Sequence, residues 1–273
     1  YWRLLMNDKR PSGKRKLSDA ALVSLSSSSS TSPAELAEPA IKTSKPAMTA
    51  ATVASKGPVQ FGWQNGLKSA MQADGQALFS DDVCVIIADK YPKARHHYLV
   101  LPKRQIDSLA QLQRSDASML KRMLAAAESF IAENNLLPKG FRFGFHAVPS
   151  MSQLHMHVIS QDFVSTCLKT KKHWLSFTTE FFLDCSLLLQ LLESADSSQV
   201  ASTVEEPRQH RQQHLISSGR LGIRGSGHSA SLAIDRAWFS SLSKAGELKC
   251  NQCARVAKNM PDLKAHLAGH ERT

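Results

Sequence analysis

Gln153-Leu154-His155-Met156-His157-Val158-Ile159 is the stretch on which the reading of this chain turns. Its alternation is that of a strand with two unlike faces. Leu154, Met156 and Val158 point one way, into a core. Gln153, His155 and His157 point the other way, above the sheet. Two imidazoles at i and i+2 on one strand face sit close enough to act on a single phosphate. Taken alone, so short a pattern also fits two surface histidines or two metal ligands.

The surroundings narrow the choice. Upstream run Asp89-Lys-Tyr-Pro-Lys-Ala-Arg-His-His-Tyr-Leu-Val-Leu-Pro102 and Phe143-Gly-Phe-His-Ala-Val-Pro-Ser-Met151. Downstream lie Ser160-Gln-Asp-Phe163 and Lys171-Lys-His-Trp174. Together these resemble the HIT superfamily of nucleotide hydrolases and transferases, and within it the DNA deadenylases. The resemblance covers residues 58–184 and resumes at the C-terminal end. The superfamily motif is His-x-His-x-His; here Gln153 holds the first position, a departure, and His155 the middle one.

Composition agrees with a phosphate-bearing partner. The chain has 273 residues, with 34 basic against 23 acidic side chains and a formal net charge of +11. Such a balance suits nucleic acid. Five cysteines, an odd number with one C-x-x-C pair, point to a reducing compartment and a metal, not a disulfide framework. No apolar run is long enough to cross a membrane, so no membrane partner is expected. The chain begins at Tyr1 and reads as a fragment, a processed form or an incomplete gene model.

Four regions are expected. Residues 1–55 form a disordered tail rich in serine and proline, which cannot bury enough apolar surface to offset chain entropy. Within it, Lys9-Arg10 and Lys14-Arg15-Lys16 have the look of a nuclear import signal, so a nuclear protein is expected. Residues 56–185 form the catalytic domain, residues 186–247 a linker or insertion, and residues 248–273 a zinc finger. In the catalytic domain a short helix is expected over 64–71 and the main helix over 115–134, with Ser115 as its N-cap. Strands are expected over 77–79, 83–88, 97–101, 141–148 and 154–159. Helices packed on a mainly antiparallel sheet make an α+β, HIT-like fold. Residues 194–230, rich in Ser, Gln, Gly and Arg, read as linker.

The C-terminal signal stands on its own spacing. Cys250-x2-Cys253-x12-His266-x3-His270 is that of a Cys2His2 zinc site, with Val256 and Leu263 as its small core. The zinc is structural, and no catalytic metal is expected.

The resemblance implies the chemistry. The substrate would be a 5′-adenylated DNA end or nick, hydrolysed in two displacements through a covalent AMP-histidine on His155, with AMP as product. A backbone carbonyl accepting from the other ring nitrogen would set the tautomer of His155. Charge gathers on the non-bridging oxygens in the transition state, where His157 and His146 are the candidate donors. Asp89, Lys93 and His97 would line the nucleotide pocket. Ser150, Ser152 and Gln153 would reach phosphate oxygens, and Lys172 or His173 would neutralise the leaving phosphate. Trp63 would stack on a terminal base pair, worth roughly 1–3 kcal/mol per base, with Lys68 on the backbone. DNA-repair proteins are expected partners. Two other readings are a phosphoramidase or dinucleotide hydrolase acting on small substrates, and a non-enzymatic zinc-finger nucleic-acid-binding protein.

Overall fold

The computed structural model describes residues 66–67, 75–194 and 207–270, the side chains of 207–211 excepted. Trp63, Lys68 and the basic clusters near residues 9–16 lie outside the described residues.

The centre is a six-stranded antiparallel sheet in the order β1-β2-β3-β5-β4-β6. Its strands are β1 (Ala77–Ser80), β2 (Cys84–Ala88), β3 (His97–Pro102), β4 (Phe141–His146), β5 (Met156–Ser160) and β6 (Phe182–Asp184). The apolar run in β2 serves both faces, as a doubly covered strand should. Cys84 and Ile86 join the core behind the sheet, while Val85 and Ile87 pack in front with Leu99 and Leu101. Behind the sheet lie α1 (Ala117–Glu133) and α3 (Cys185–Glu193). The buried stripe of α1 is Leu120, Met123, Ala127, Phe130 and Ile131, the spacing of one helix face. The expected N-cap, Ser115, is replaced by a 3-10 turn at Arg114–Asp116, in which Asp116 Oδ2 accepts from the Gln113 N–H at 2.9 Å.

Alternation in the deciding stretch holds for its core side. Leu154, Met156 and Val158 are all buried in the core behind the sheet. The strand begins two residues later than expected, at Met156, because the chain is still turning at Gln153. That residue has φ +74°, a left-handed conformation.

The stretch expected to be linker is folded where it is described. It contains α4 (Pro207–Ser217), the hairpin β7 (Leu221–Arg224) and β8 (Ser231–Ile234), and α5 (Arg236–Leu242). Leu215, Leu221, Leu232 and Phe239 are buried in the same core as α1 and α3. The hairpin is tied down by Leu232 N–H to Leu112 O and Arg114 N–H to Ala230 O. Gln212 completes edge strand β6, donating to Phe182 O at 2.8 Å and accepting from Asp184 N–H at 3.2 Å. A few apolar residues spread through a polar segment carry no readable period, which is why the sequence hides this element.

The finger comprises β9 (Leu248–Lys249), β10 (Val256–Ala257) and α6 (Met260–His270). It shares one core with α2 (Lys171–Thr178): Trp174, Leu175, Phe177 and Phe163 pack with Leu248, Ala257, Leu263 and Leu267. Val256, expected in this core, is about half exposed, and Ala257 takes the inward place. Polar ties cross the same boundary. Trp174 Nε1 donates to Lys249 O at 3.1 Å, Asn251 Nδ2 to Gln161 O at 2.9 Å, and Lys264 Nζ to Ser165 O at 2.9 Å.

Candidate active site and zinc centre

Strands β3, β4 and β5 bring four imidazoles together in front of the sheet. Register places Leu99 opposite His157 and His97 opposite Ile159, so His97 and His157 lie diagonally on one face. His157 is 4.4 Å from His146, 5.0 Å from His155 and 5.2 Å from His97, ring centre to ring centre. Phe177 of α2 closes this group, with its ring 4.6–5.4 Å from His97, His146 and His157. Phe177 was missed in the sequence, although it stands one helical turn beyond His173 in the Lys171-Trp174 motif.

Two backbone groups dictate tautomers here. A carbonyl can only accept, so the contact of 2.8 Å between Gln153 O and His155 Nδ1 puts the proton on that nitrogen. His155 Nε2 is left with its lone pair. A backbone N–H can only donate, so Lys93 N–H at 3.1 Å makes His97 Nδ1 an acceptor. His97 Nε2 then carries a proton and donates to His157 Nδ1 at 3.0 Å, leaving His157 Nε2 as an N–H. The Nε2 atoms of His157 and His146 are both buried without a partner among the described residues. Two such atoms on adjoining rings are available to a ligand's polar atoms or to water.

Burial keeps these rings neutral. It lowers His155 below the usual imidazole value, opposed by the Gln153 carbonyl and by Asp89. His146 and His157 are held well below it by burial, then by neighbouring imidazoles and Lys93. His97 is pushed down from 6.5 to about 4, again chiefly by burial. The unfolded chain therefore binds more protons than the folded one below pH 6.5. The stability these groups contribute is full above that value and is lost as pH falls, for His97 as it falls towards about 4. His97 alone is expected to contribute on the order of 3 kcal/mol to this loss. Urea midpoints measured from pH 7.5 down to 4.5 should fall steadily; a flat profile would mean the cluster is solvated.

The other candidates are placed unevenly. Lys93 lies close enough for its charge to act on His97, His146, His157 and His173, and burial lowers its own pKa. Asp89 stands 3.6 Å from His97 Nδ1 and accepts from Tyr91 N–H. His173 is in the first turn of α2, where its N–H meets the Thr170 cap and its Nδ1 accepts from Lys169 N–H. Ser152 is half-buried three residues before His155, whereas Ser150 and Lys172 are exposed. Gln153 requires a correction. Its side chain does not face the imidazoles; its amide donates to Pro102 O at 2.9 Å and Arg104 O at 3.2 Å. The left-handed turn at this residue breaks the alternation that was expected to carry it into the site. A separate cleft of about 330 Å³ between α2 and the finger, lined by Arg142, Glu180, Glu247 and Asn251, shares Phe177 with the cluster.

Cys250, Cys253, His266 and His270 bring their ligand atoms within 4.8 Å of one another. Cys253 Sγ is 3.1 Å from His266 Nε2, Cys250 Sγ 3.5 Å from His270 Nε2, and the two Nε2 atoms are 3.1 Å apart. A tetrahedral ion with bonds of about 2.0–2.3 Å has edges of roughly 3.3–3.8 Å. The donors fit zinc with little adjustment, and the structural zinc expected from the spacing belongs here. Asp89, His97 and His157 also approach one another within 4.8 Å. His97 cannot offer a lone pair there, since Lys93 N–H occupies one nitrogen and a proton the other.

Comparison with known proteins agrees with both halves. Residues 65–173 match the family described as scavenger mRNA decapping enzyme C-term binding, and residues 178–272 match the C2HE / C2H2 / C2HC zinc-binding finger. The aprataxin of Gallus gallus is 39% identical over 212 residues, covering 76% of this chain and 55% of that protein. The aprataxin-like protein of Saccharomyces cerevisiae is 31% identical over 161 residues, covering 44% of this chain and 72% of that protein. The aprataxin ortholog Hnt3, solved in complex with DNA, shares the fold with a TM-score of 0.52 at 20% identity, covering 77% of this chain and 96% of that one. The chain spans about half the length of the vertebrate aprataxins it matches, 53% and 55%.

Proposed function

The chain belongs to the aprataxin family, and on that basis we propose that it is a DNA deadenylase that removes AMP from 5′-adenylated DNA ends and nicks. The observation that carries this reading is the locked tautomer of His155: Nδ1–H held by the Gln153 carbonyl, Nε2 bare and beside His157. Nε2 attacks the phosphorus of the adenylate. The bond from that phosphorus to the bridging oxygen breaks, and the electron pair leaves with the DNA 5′-phosphate. The positive charge that develops on the His155 ring is stabilised at Nδ1–H by the carbonyl. His157 Nε2–H, set by the His97 relay, donates to a non-bridging oxygen. Lys93 and His173, at the edge of the cluster, receive the leaving phosphate. Water then cleaves the phosphorus–nitrogen bond, releasing AMP and restoring His155.

The chain's own residues supply every step, and the zinc shapes the finger. The basic excess and the finger support nucleic acid as the larger substrate, with Trp63 and Lys68 proposed to meet the duplex end. The Lys14–Lys16 cluster supports action in the nucleus. The test is AMP release from a nicked, 5′-adenylated duplex, set against release from an AMP-lysine phosphoramidate. Turnover of the duplex at comparable or higher kcat/KM is expected. Activity confined to the phosphoramidate would favour a small-substrate enzyme, and none on either a binding protein.

A further inference from the structure

Gln153 stands where the superfamily motif has its first histidine, and it is 2% exposed. It adopts φ +74°, which a side chain with a Cβ takes only at some cost in energy. Both amide hydrogens are spent on backbone carbonyls of the segment leaving β3, Pro102 O and Arg104 O. The next N–H, of Leu154, goes to Ile106 O of the same segment. Three consecutive donors thus meet the carbonyls of residues 102, 104 and 106. The carbonyl left over is that of Gln153 itself, and it accepts from His155 Nδ1 at 2.8 Å.

We propose that Gln153 is a positioning residue: its carboxamide clips residue 153 to the β3 exit, and the clipped residue's carbonyl locks His155 with Nε2 free to attack. The catalytic consequence rests on the deadenylase reading; the lock itself does not. The geometry also accounts for the residue type. An imidazole in this place has one N–H at its far nitrogen and can hold one of the two carbonyls. A carboxamide holds both and does not titrate, so the clip is the same at every pH at which the protein is folded. Without it, the left-handed turn has no side-chain tether, and the carbonyl is free to rotate away from the ring.

The test uses the full chain with 15N-labelled histidine rings. In the parent protein His155, identified by its absence in His155→Ala, is expected to show a protonated Nδ1 and a bare Nε2. Gln153→Met keeps the shape and removes both donors. It should give a mixture of tautomers and lower kcat on the adenylated nick by about ten- to a hundred-fold, with KM nearly unchanged. Gln153→His should recover part of both. A parent-like ring spectrum in Gln153→Met overturns the clip. So does a fall in kcat with the tautomer intact, since the amide would then be acting on substrate. If Gln153→Met does not fold, Gln153→His decides: intermediate tautomer order supports the clip, whereas parent-like order or failure to fold overturns it. A parent protein that releases no AMP removes the deadenylase reading while the ring spectra still judge the lock.

Discussion

His155→Ala is expected to lower AMP release from an adenylated nick by at least about a thousand-fold. The size follows from the loss of the only step this geometry supports. His157 and His146 cannot stand in for the missing nucleophile. The relay through His97 leaves His157 with a proton on the nitrogen that faces the site. His146 is neutral but lies on the neighbouring strand, its ring tilted 45° against that of His157. The substitution removes a buried side chain from the front of the sheet and touches none of the core behind it. The melting temperature should therefore move by only a few degrees, and affinity for adenylated DNA should stay within several-fold. The checks are single-turnover AMP release and trapping of labelled AMP on the protein, which should occur in the parent and vanish in the variant. Comparable turnover by the variant would falsify the assignment of His155.

Loss of zinc is expected to reach well beyond the finger. In isolated finger peptides the structural ion is worth about 10–16 kcal/mol, so Cys250→Ser should unfold residues 248–270. In this chain the finger is no separate bead. Trp174, fully buried, packs in one core with Leu263 and Leu267 and donates to Lys249 O. The same helix carries Phe177 against His97, His146 and His157. Uncovering Trp174 and Leu175 should loosen α2 and, through Phe177, the imidazoles it packs against. Cys250→Ser is thus expected to reduce turnover of a small adenylate by about ten-fold or more, as well as weakening DNA binding. Trp174→Ala, which leaves all four ligands in place, should cost about 3–5 kcal/mol and produce part of the same loss. Zinc content, the unfolding midpoint and both rates would be measured together. Full small-substrate activity in zinc-free protein would show a finger that serves DNA capture alone.

Much of the architecture is legible in periodicity. The alternation of Leu154, Met156 and Val158 marks a buried strand face, and the stripe from Leu120 to Ile131 marks the helix behind it, because burial on one side imposes the period of the element. The cysteine and histidine spacing determines the zinc ligands, since tetrahedral coordination by a knuckle and one helix turn allows few other spacings. The histidines at 146, 155 and 157 are legible as site candidates, and the fold brings the rings of His146 and His155 to 4.4 and 5.0 Å from that of His157. Tertiary structure decided the remainder. It alone aims the Gln153 amide at the carbonyls of residues 102 and 104, because a single left-handed residue undoes a two-residue period. It assigns the tautomers of His97, His155 and His157, which depend on how the Lys93 N–H is aimed at His97, on the contact of His97 with a histidine 60 residues away, and on a carbonyl turned by Gln153. It turns a polar stretch at 207–242 into a packed layer through Leu215, Leu221, Leu232 and Phe239, which join the same core as α1 and α3. It also joins the finger to the histidine cluster through α2, which carries Trp174 and Phe177 into the finger's core and sets Phe177 against His157 as well.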